Sequence, residues 1–180
     1  MTCPAASPQP AAHSLFFAIR PPDDVALRIA EATASLPVGG MPVRPDRLHV
    51  SLLNLVRERA IPVGLTEEAI DAAGEVRATP FMVKFDHLVG ARGHMLLLPS
   101  EPLDQFRMFR ERLGFTLMRA GMDFQLNGRF NPHLTLLYGN DLTFETEIDP
   151  IIWRVEDFVL IDSVVGETRH VELGRWPLGA

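Results

Sequence analysis

The chain has a single cysteine, Cys3, in 180 residues. One cysteine closes no intramolecular disulfide and builds no cysteine-based zinc site, which excludes a disulfide-stapled scaffold and makes a cytoplasmic setting the default expectation. No apolar run approaches the roughly 20 residues that span a bilayer. The first residues lack the basic-then-apolar pattern of a secretory signal, so no membrane association is expected. Lysine is nearly absent: Lys84 is the only one, and the remaining basic residues are arginines. At a net charge of −6 there is no surplus of positive charge to neutralise many phosphates. That excludes an extended nucleic-acid surface while leaving room for a local basic pocket that takes a small anion. A nucleotide-cradling loop is also missing, because Val38-Gly39-Gly40 and Val89-Gly90-Ala91 lack the lysine and the strand-to-helix setting it requires. His87 and His94 flank a turn around Arg92 with no acidic cluster at metal spacing. They read as surface histidines, and no metal or other cofactor is expected. Without a heptad seam, a monomer is expected.

What is present is 47% hydrophobic residues, enough to bury one substantial core. Met1–His13, rich in Ala, Pro and Ser, reads as a disordered tail, leaving 14–180 as a single domain. Leu15–Ile19 reads as a buried strand. Asp23 and Asp24 then open a helix carried by Val25, Ile29, Ala32 and Leu36 at helical spacing. Leu48–Leu55 reads as a strand, and Thr66 is expected to N-cap a helix to about Arg77. Phe81–Leu88 and His94–Leu98 predict two strands around the turn 89–93. Leu103, Phe106, Phe109, Leu113 and Leu117 trace one face of a helix closed by Gly121. Leu134–Tyr138, Val155–Val165 and Arg169–Trp176 complete the strands, the last two as a hairpin. This order suits an α+β domain with helices packed outside mostly antiparallel sheets.

Two short segments stand out within that pattern: Leu48-His49-Val50-Ser51-Leu52 and Pro132-His133-Leu134-Thr135-Leu136. Alternate strand residues share a face, so His49 and Ser51 point one way while Leu48, Val50 and Leu52 point the other; His133 and Thr135 repeat the arrangement. Each segment therefore presents an imidazole beside a hydroxyl from an apolar background. If the two lie side by side, four such groups converge on one groove. That set can break a phosphodiester without a metal: one histidine takes a proton, another gives one, and the hydroxyls donate to the non-bridging oxygens. Six histidines would form only about 0.5 His-x-Ser/Thr pairs by chance, so two of them inside apolar strands carry weight.

These segments resemble the paired signature of the two-histidine (2H) phosphoesterase superfamily, in its 2'-5' RNA ligase-like (LigT-like) branch. The first motif is 43–52 and the second is Phe130-Asn131-Pro132-His133-Leu134-Thr135-Leu136. The likeness extends to Leu15–Pro21 at the start and to Phe158–Ser163 and Leu173–Leu178 at the end. It implies a bilobal fold with a pseudo-twofold, two mostly antiparallel sheets around a central cleft and helices outside. It implies metal-independent hydrolysis of 2',3'-cyclic phosphates on RNA ends or nucleotides. Carried over by position, His49 is the general acid, His133 the general base, and Ser51 and Thr135 contact the phosphate. Related activities on an ADP-ribose cyclic phosphate or a 2'-5' linkage, or a nucleotide-binding module without chemistry, are the alternatives. The chain departs from the family pattern in Ser51 where threonine is commoner, in Asn54-Leu55-Val56, and in Leu137-Tyr138-Gly139 where RNA-processing members often carry an arginine.

Around the motifs, Arg44, Arg47 and Arg129 are candidates for steering a phosphate, and Tyr138 and Phe16 for contacting phosphate or base. Phe130 reads first as core, with stacking on a base as its second reading. His170 is a candidate for the border of the cleft.

Overall fold

The computed structural model describes residues 12–122, 130–165, 167 and 169–179. In chain order its elements are β1 (Ala12–Ile19), α1 (Asp23–Ala34), β2 (Met41–Pro42), a 3-10 turn (Pro45–Arg47), β3 (Val50–Glu58), α2 (Leu65–Gly74), β4 (Phe81–Ala91), β5 (Gly93–Leu98), α3 (Asp104–Arg119), β6 (Leu134–Asn140), β7 (Phe144–Val155), β8 (Asp157–Val165) and β9 (Arg169–Pro177). The strands order as β7-β4-β5-β6-β3-β1-β8-β9, with short β2 on β6, and the strand pairings are antiparallel. Four strands lie on each side of the β3–β6 junction, and that junction is the single pair Val50–Leu134. The two expected sheets are therefore two halves that meet at one residue pair. A twofold through that pair exchanges β3 with β6 and β1 with β5.

Alternation separates the two faces. Leu15, Phe17 and Ile19 of β1, with Phe158 and Leu160 of β8, join residues of all three helices in the main core. Phe16, Ala18, Val159 and Ile161 form a second cluster made of strand residues alone. Among the described residues no helix packs on this cluster, and it lies on the face towards which the histidine motifs point.

Local chemistry sets the ends of the elements. α3 stops at Gly121 (φ 91°), whose amide donates to the Met118 carbonyl while that of Met122 reaches back to Leu117. This Schellman closure is the reason a glycine is needed there. Arg92 and Gly93, both at positive φ, make a two-residue hairpin turn between β4 and β5, tighter than the five residues expected. α2 begins two residues earlier than expected. Gly64 at φ 87° occupies the N-cap and Thr66 lies inside the helix without a capping bond. β1 begins at Ala12, so Ala12 and His13, expected to end the tail, belong to the sheet, where the His13 Nδ1–H donates to Asp162 at 2.9 Å. The rest of the expected tail, 1–11, lies outside the described residues.

Two strands were not expected: the short β2, and β7, on the outer edge beside β4, of which only Val155 was read as strand. The strand expected from Val155 is the end of β7 followed, after Glu156, by β8. Among the described residues no helix is long and apolar enough to cross a membrane.

Candidate active site

The Val50–Leu134 pair fixes the site. In an antiparallel ladder the next residues out face one another, so His49 lies opposite Thr135, and Ser51 opposite His133. Val50 and Leu134 are fully buried and anchor the junction to the core, which turns the four polar side chains to the opposite face. Each histidine sits one residue ahead of its strand rather than within it, His49 before β3 and His133 before β6. That position frees the preceding carbonyls from the ladder. His49 Nδ1 lies 2.7 Å from the Arg47 carbonyl, and His133 Nδ1 lies 3.0 Å from that of Asn131. A carbonyl only accepts, so Nδ1 carries the proton in both rings. Both Nε2 atoms are left for the cleft.

The surroundings of the two rings differ. His49 packs against Phe16 (centroids 5.0 Å apart) and His170 (5.3 Å, edge-on). Phe16, whose ring was expected to contact the base, thus reaches the first histidine directly. Arg47 Nη2 donates to His170 Nε2 at 3.4 Å, leaving the His170 Nδ1–H buried without a partner among the described residues. Arg20 lies one step beyond the Ile19–Val50 pair, beside His49, and its Nη1 donates to Glu172 at 3.0 Å. Burial first, and then the positive charge of Arg20, His133 and Arg47, outweighs the bond to the Arg47 carbonyl and pulls His49 down to about 4. Burial, His49, Arg47 and Arg20 together pull His170 down to about 3. Both rings are neutral at neutral pH when the site is empty. The acid role that the resemblance implies for His49 therefore needs an anion in the cleft to supply the missing countercharge.

On the other side the site is open. Tyr138 is 41% exposed and meets the His94 ring edge-on at 5.3 Å. Following the register outward from Thr135, the same face carries Leu96, Val89 and Glu145. Arg44 is turned to solvent and clamps Asp46 through Nε (3.0 Å) and Nη2 (2.9 Å), so its charge is already matched. The structure thus brings His49, His133, Ser51, Thr135 and Phe16 to one face, with Tyr138 at its edge and Arg44 paired elsewhere. Arg129 lies outside the described residues. Sequence reasoning did not single out Arg20, which entered only within the Leu15–Pro21 likeness. The signal available was its parity with Phe16 and Ala18 on β1.

A two-lobed antiparallel sheet with a histidine and a hydroxyl from each lobe on one open face defines the two-histidine phosphoesterase class. More narrowly, the chain belongs to the 2'-5' RNA ligase superfamily, whose family model matches residues 21–167. It is similar to a solved phosphoesterase (27% identity, 93% of this chain and 99% of that one, TM-score 0.73). E. coli LigT complexed with 3'-AMP is 26% identical over 94% of this chain and 99% of that one, with a TM-score of 0.71. A Thermus thermophilus protein, TT0787, shares the fold at 21% identity, covering 91% of this chain and 97% of that one (TM-score 0.72). No curated protein matches by sequence.

Proposed function

We propose that this protein is a metal-independent cyclic phosphodiesterase that opens the 2',3'-cyclic phosphates of nucleotides or RNA ends. One observation carries the reading: two imidazoles related by a twofold, each fixed through Nδ1 to the carbonyl two residues back, each with Nε2 unbonded among the described residues and a hydroxyl from the same motif on the same face. A phosphate seated between Ser51 and Thr135 has one Nε2 on either side. The His133 Nε2 takes a proton from water as its oxygen bonds to phosphorus. The bond from phosphorus to the 2'- or 3'-oxygen breaks, and the His49 Nε2 gives that oxygen its proton. The two rings then exchange protons with solvent to reset. The substrate's negative charge offsets Arg20 and Arg47, so His49 gains its proton with the phosphate already in place. That LigT was crystallised with 3'-AMP and with ATP supports a ligand of mononucleotide size.

The test is hydrolysis of 2',3'-cyclic AMP in excess EDTA by the wild type, His49→Ala and His133→Ala. Turnover by wild type, with each variant folded and slower by roughly 10²–10⁴-fold, is the expected result. A folded variant that keeps near-normal turnover overturns the acid–base pair. A wild type inactive on 2',3'-cyclic AMP and other nucleoside cyclic phosphates, even at high enzyme concentration, overturns the substrate class.

A further inference from the structure

Two buried carbonyls in the site face the same difficulty. In β3 the pairing with β1 steps from Ser51–Ala18 to Leu53–Phe17, so Leu52 has no partner there. In β6 the pairing with β5 steps from Thr135–Leu96 to Leu137–Met95, so Leu136 has none. Each extra residue directly follows the hydroxyl of its motif, and each is buried. A buried carbonyl left unpaired is costly, so each must find a donor outside the ladder.

The two halves solve this differently. The Leu136 carbonyl accepts from the backbone amide of Val43 at 2.8 Å, on the segment that runs into His49. The Leu52 carbonyl accepts from Arg110 Nε of α3 at 2.9 Å. Arg110 is only 8% exposed, and its guanidinium carbon lies 4.3 Å from the centroid of the Phe130 ring. Phe130 stacks in turn on Phe106 of α3, at 5.8 Å and 6°. Phe130 is the residue before Asn131, whose carbonyl orients His133. In each half, then, the bulge behind one motif is capped by a group that belongs to, or is packed on, the segment entering the other motif. One half uses the main chain and the other uses a side chain.

We propose that Arg110 is a positioning residue for both motifs. It holds the strand behind Ser51 and braces Phe130, so that the Asn131 carbonyl keeps the His133 proton on Nδ1 and its Nε2 free. The role needs an arginine. Nε donates in the guanidinium plane while the face of that plane lies over the ring, and an ammonium group cannot do both. The consequence for turnover rests on the function proposed above; the consequence for the His133 ring does not.

The full-length chain is tested as Arg110→Met, Arg110→Lys and Phe130→Leu, with folding followed by circular dichroism. Each is assayed for 2',3'-cyclic AMP hydrolysis and for histidine tautomers by long-range ¹H–¹⁵N NMR. In Arg110→Met we expect kcat to fall roughly 10–100-fold with KM within about threefold, since misplacement of reacting groups is felt in the chemical step. We also expect the His133 ring to lose its Nδ1–H preference, with Arg110→Lys failing to restore either property. Phe130→Leu, which leaves the Arg110–Leu52 bond in place, should reproduce the His133 change, and it carries the test if Arg110→Met does not fold. Folded variants with an unaltered His133 ring overturn the positioning role. A changed His133 ring beside a wild type that hydrolyses no cyclic phosphate supports the positioning role and overturns only the proposed function.

Discussion

The two halves of the cleft offer the same motif in opposite surroundings. Around His49 the cleft is enclosed and cationic, with Phe16 and His170 against the ring and Arg20 and Arg47 close by. Around His133 it is open, edged by Tyr138, His94 and, further out, Glu145. The backbone symmetry is nearly complete: histidine one residue before the strand, Nδ1 on the carbonyl two residues back, a bulge directly after the hydroxyl residue. The side chains around it are not symmetric. The fold therefore places two equivalent imidazoles in different surroundings, and the proposed function gives them different roles. Under the proposed function, the ring held neutral among cations takes its proton from solvent once an anionic ligand supplies the countercharge, and the ring open to water meets the attacking water molecule.

The largest test of that division compares His49→Gln with His133→Gln. Both should lose roughly 10²–10⁴-fold in kcat, the usual worth of a positioned acid or base. The difference lies in the substrate. A cyclic phosphate ester with a good leaving group, such as a nitrophenolate, needs little protonation as it departs. It should recover much of the loss in His49→Gln and little of it in His133→Gln. Equal recovery in the two variants would remove the division of roles. Next in size come Ser51→Ala and Thr135→Ala, which delete the hydroxyls proposed to donate to the non-bridging oxygens. Each should cost on the order of 10²-fold in kcat, and here the backbone symmetry predicts similar losses, so a difference above tenfold would break it.

The central site was legible in sequence because it is local. Parity at i and i+2 places His49 with Ser51 and His133 with Thr135 regardless of the rest of the fold. The hairpin turn, the helix faces and most strands were legible for the same reason. What was not legible depends on other parts of the chain. β7 escaped because it is an edge strand with Pro150 in its middle and Glu145, Glu147 and Asp149 along it, a composition that an edge tolerates and a central strand does not. Its pairing skips around Pro150, from Ile151–Phe85 to Glu147–His87. Arg20 had only its parity with Phe16 to mark it; His170 and Arg47 were candidates singly, but their meeting at His49 depends on β9 and the 3-10 turn coming together, which no spacing in the sequence encodes. Arg44, two residues from an aspartate, was indistinguishable in sequence from Arg47 until the structure showed which of them pairs with Asp46.

A smaller effect follows from the neutral rings. His49 and His170 are held at about 4 and about 3, below the ordinary 6.5. The unfolded chain therefore binds protons in this window that the folded chain refuses, and stability falls as pH drops from 6.5 towards 4. For two partly buried rings the loss is on the order of 1–3 kcal/mol in total. Thermal melts across that range would measure it, and His170→Phe should remove part of it. Inorganic phosphate should raise the pKa of His49 in the folded state. It should then stabilise the protein more at pH 5 than at pH 7.5, and phosphate with no such pH-dependent advantage would sink the idea that an anion charges this ring.

The smallest expected effect lies on the open side. Tyr138 stands at the position on β6 that Asn54 holds on β3, and its partner His94 matches Phe16, by the two registers Tyr138–His94 and Asn54–Phe16. Phe16 is 5% exposed and packed on the His49 ring, whereas Tyr138 is 41% exposed. A side chain that is already solvated loses little when it leaves a ligand, so its contribution to binding is modest. Tyr138→Ala should raise KM for a mononucleotide by about two- to fivefold through lost stacking, with kcat unchanged. Phe16→Ala should instead lower kcat, because it removes a wall of the His49 pocket and lets water reach the ring. If Tyr138→Ala changed kcat and Phe16→Ala changed only KM, the enclosed side would be the binding side and the open side the chemical one, and the division of labour drawn from the two halves would have to be reversed.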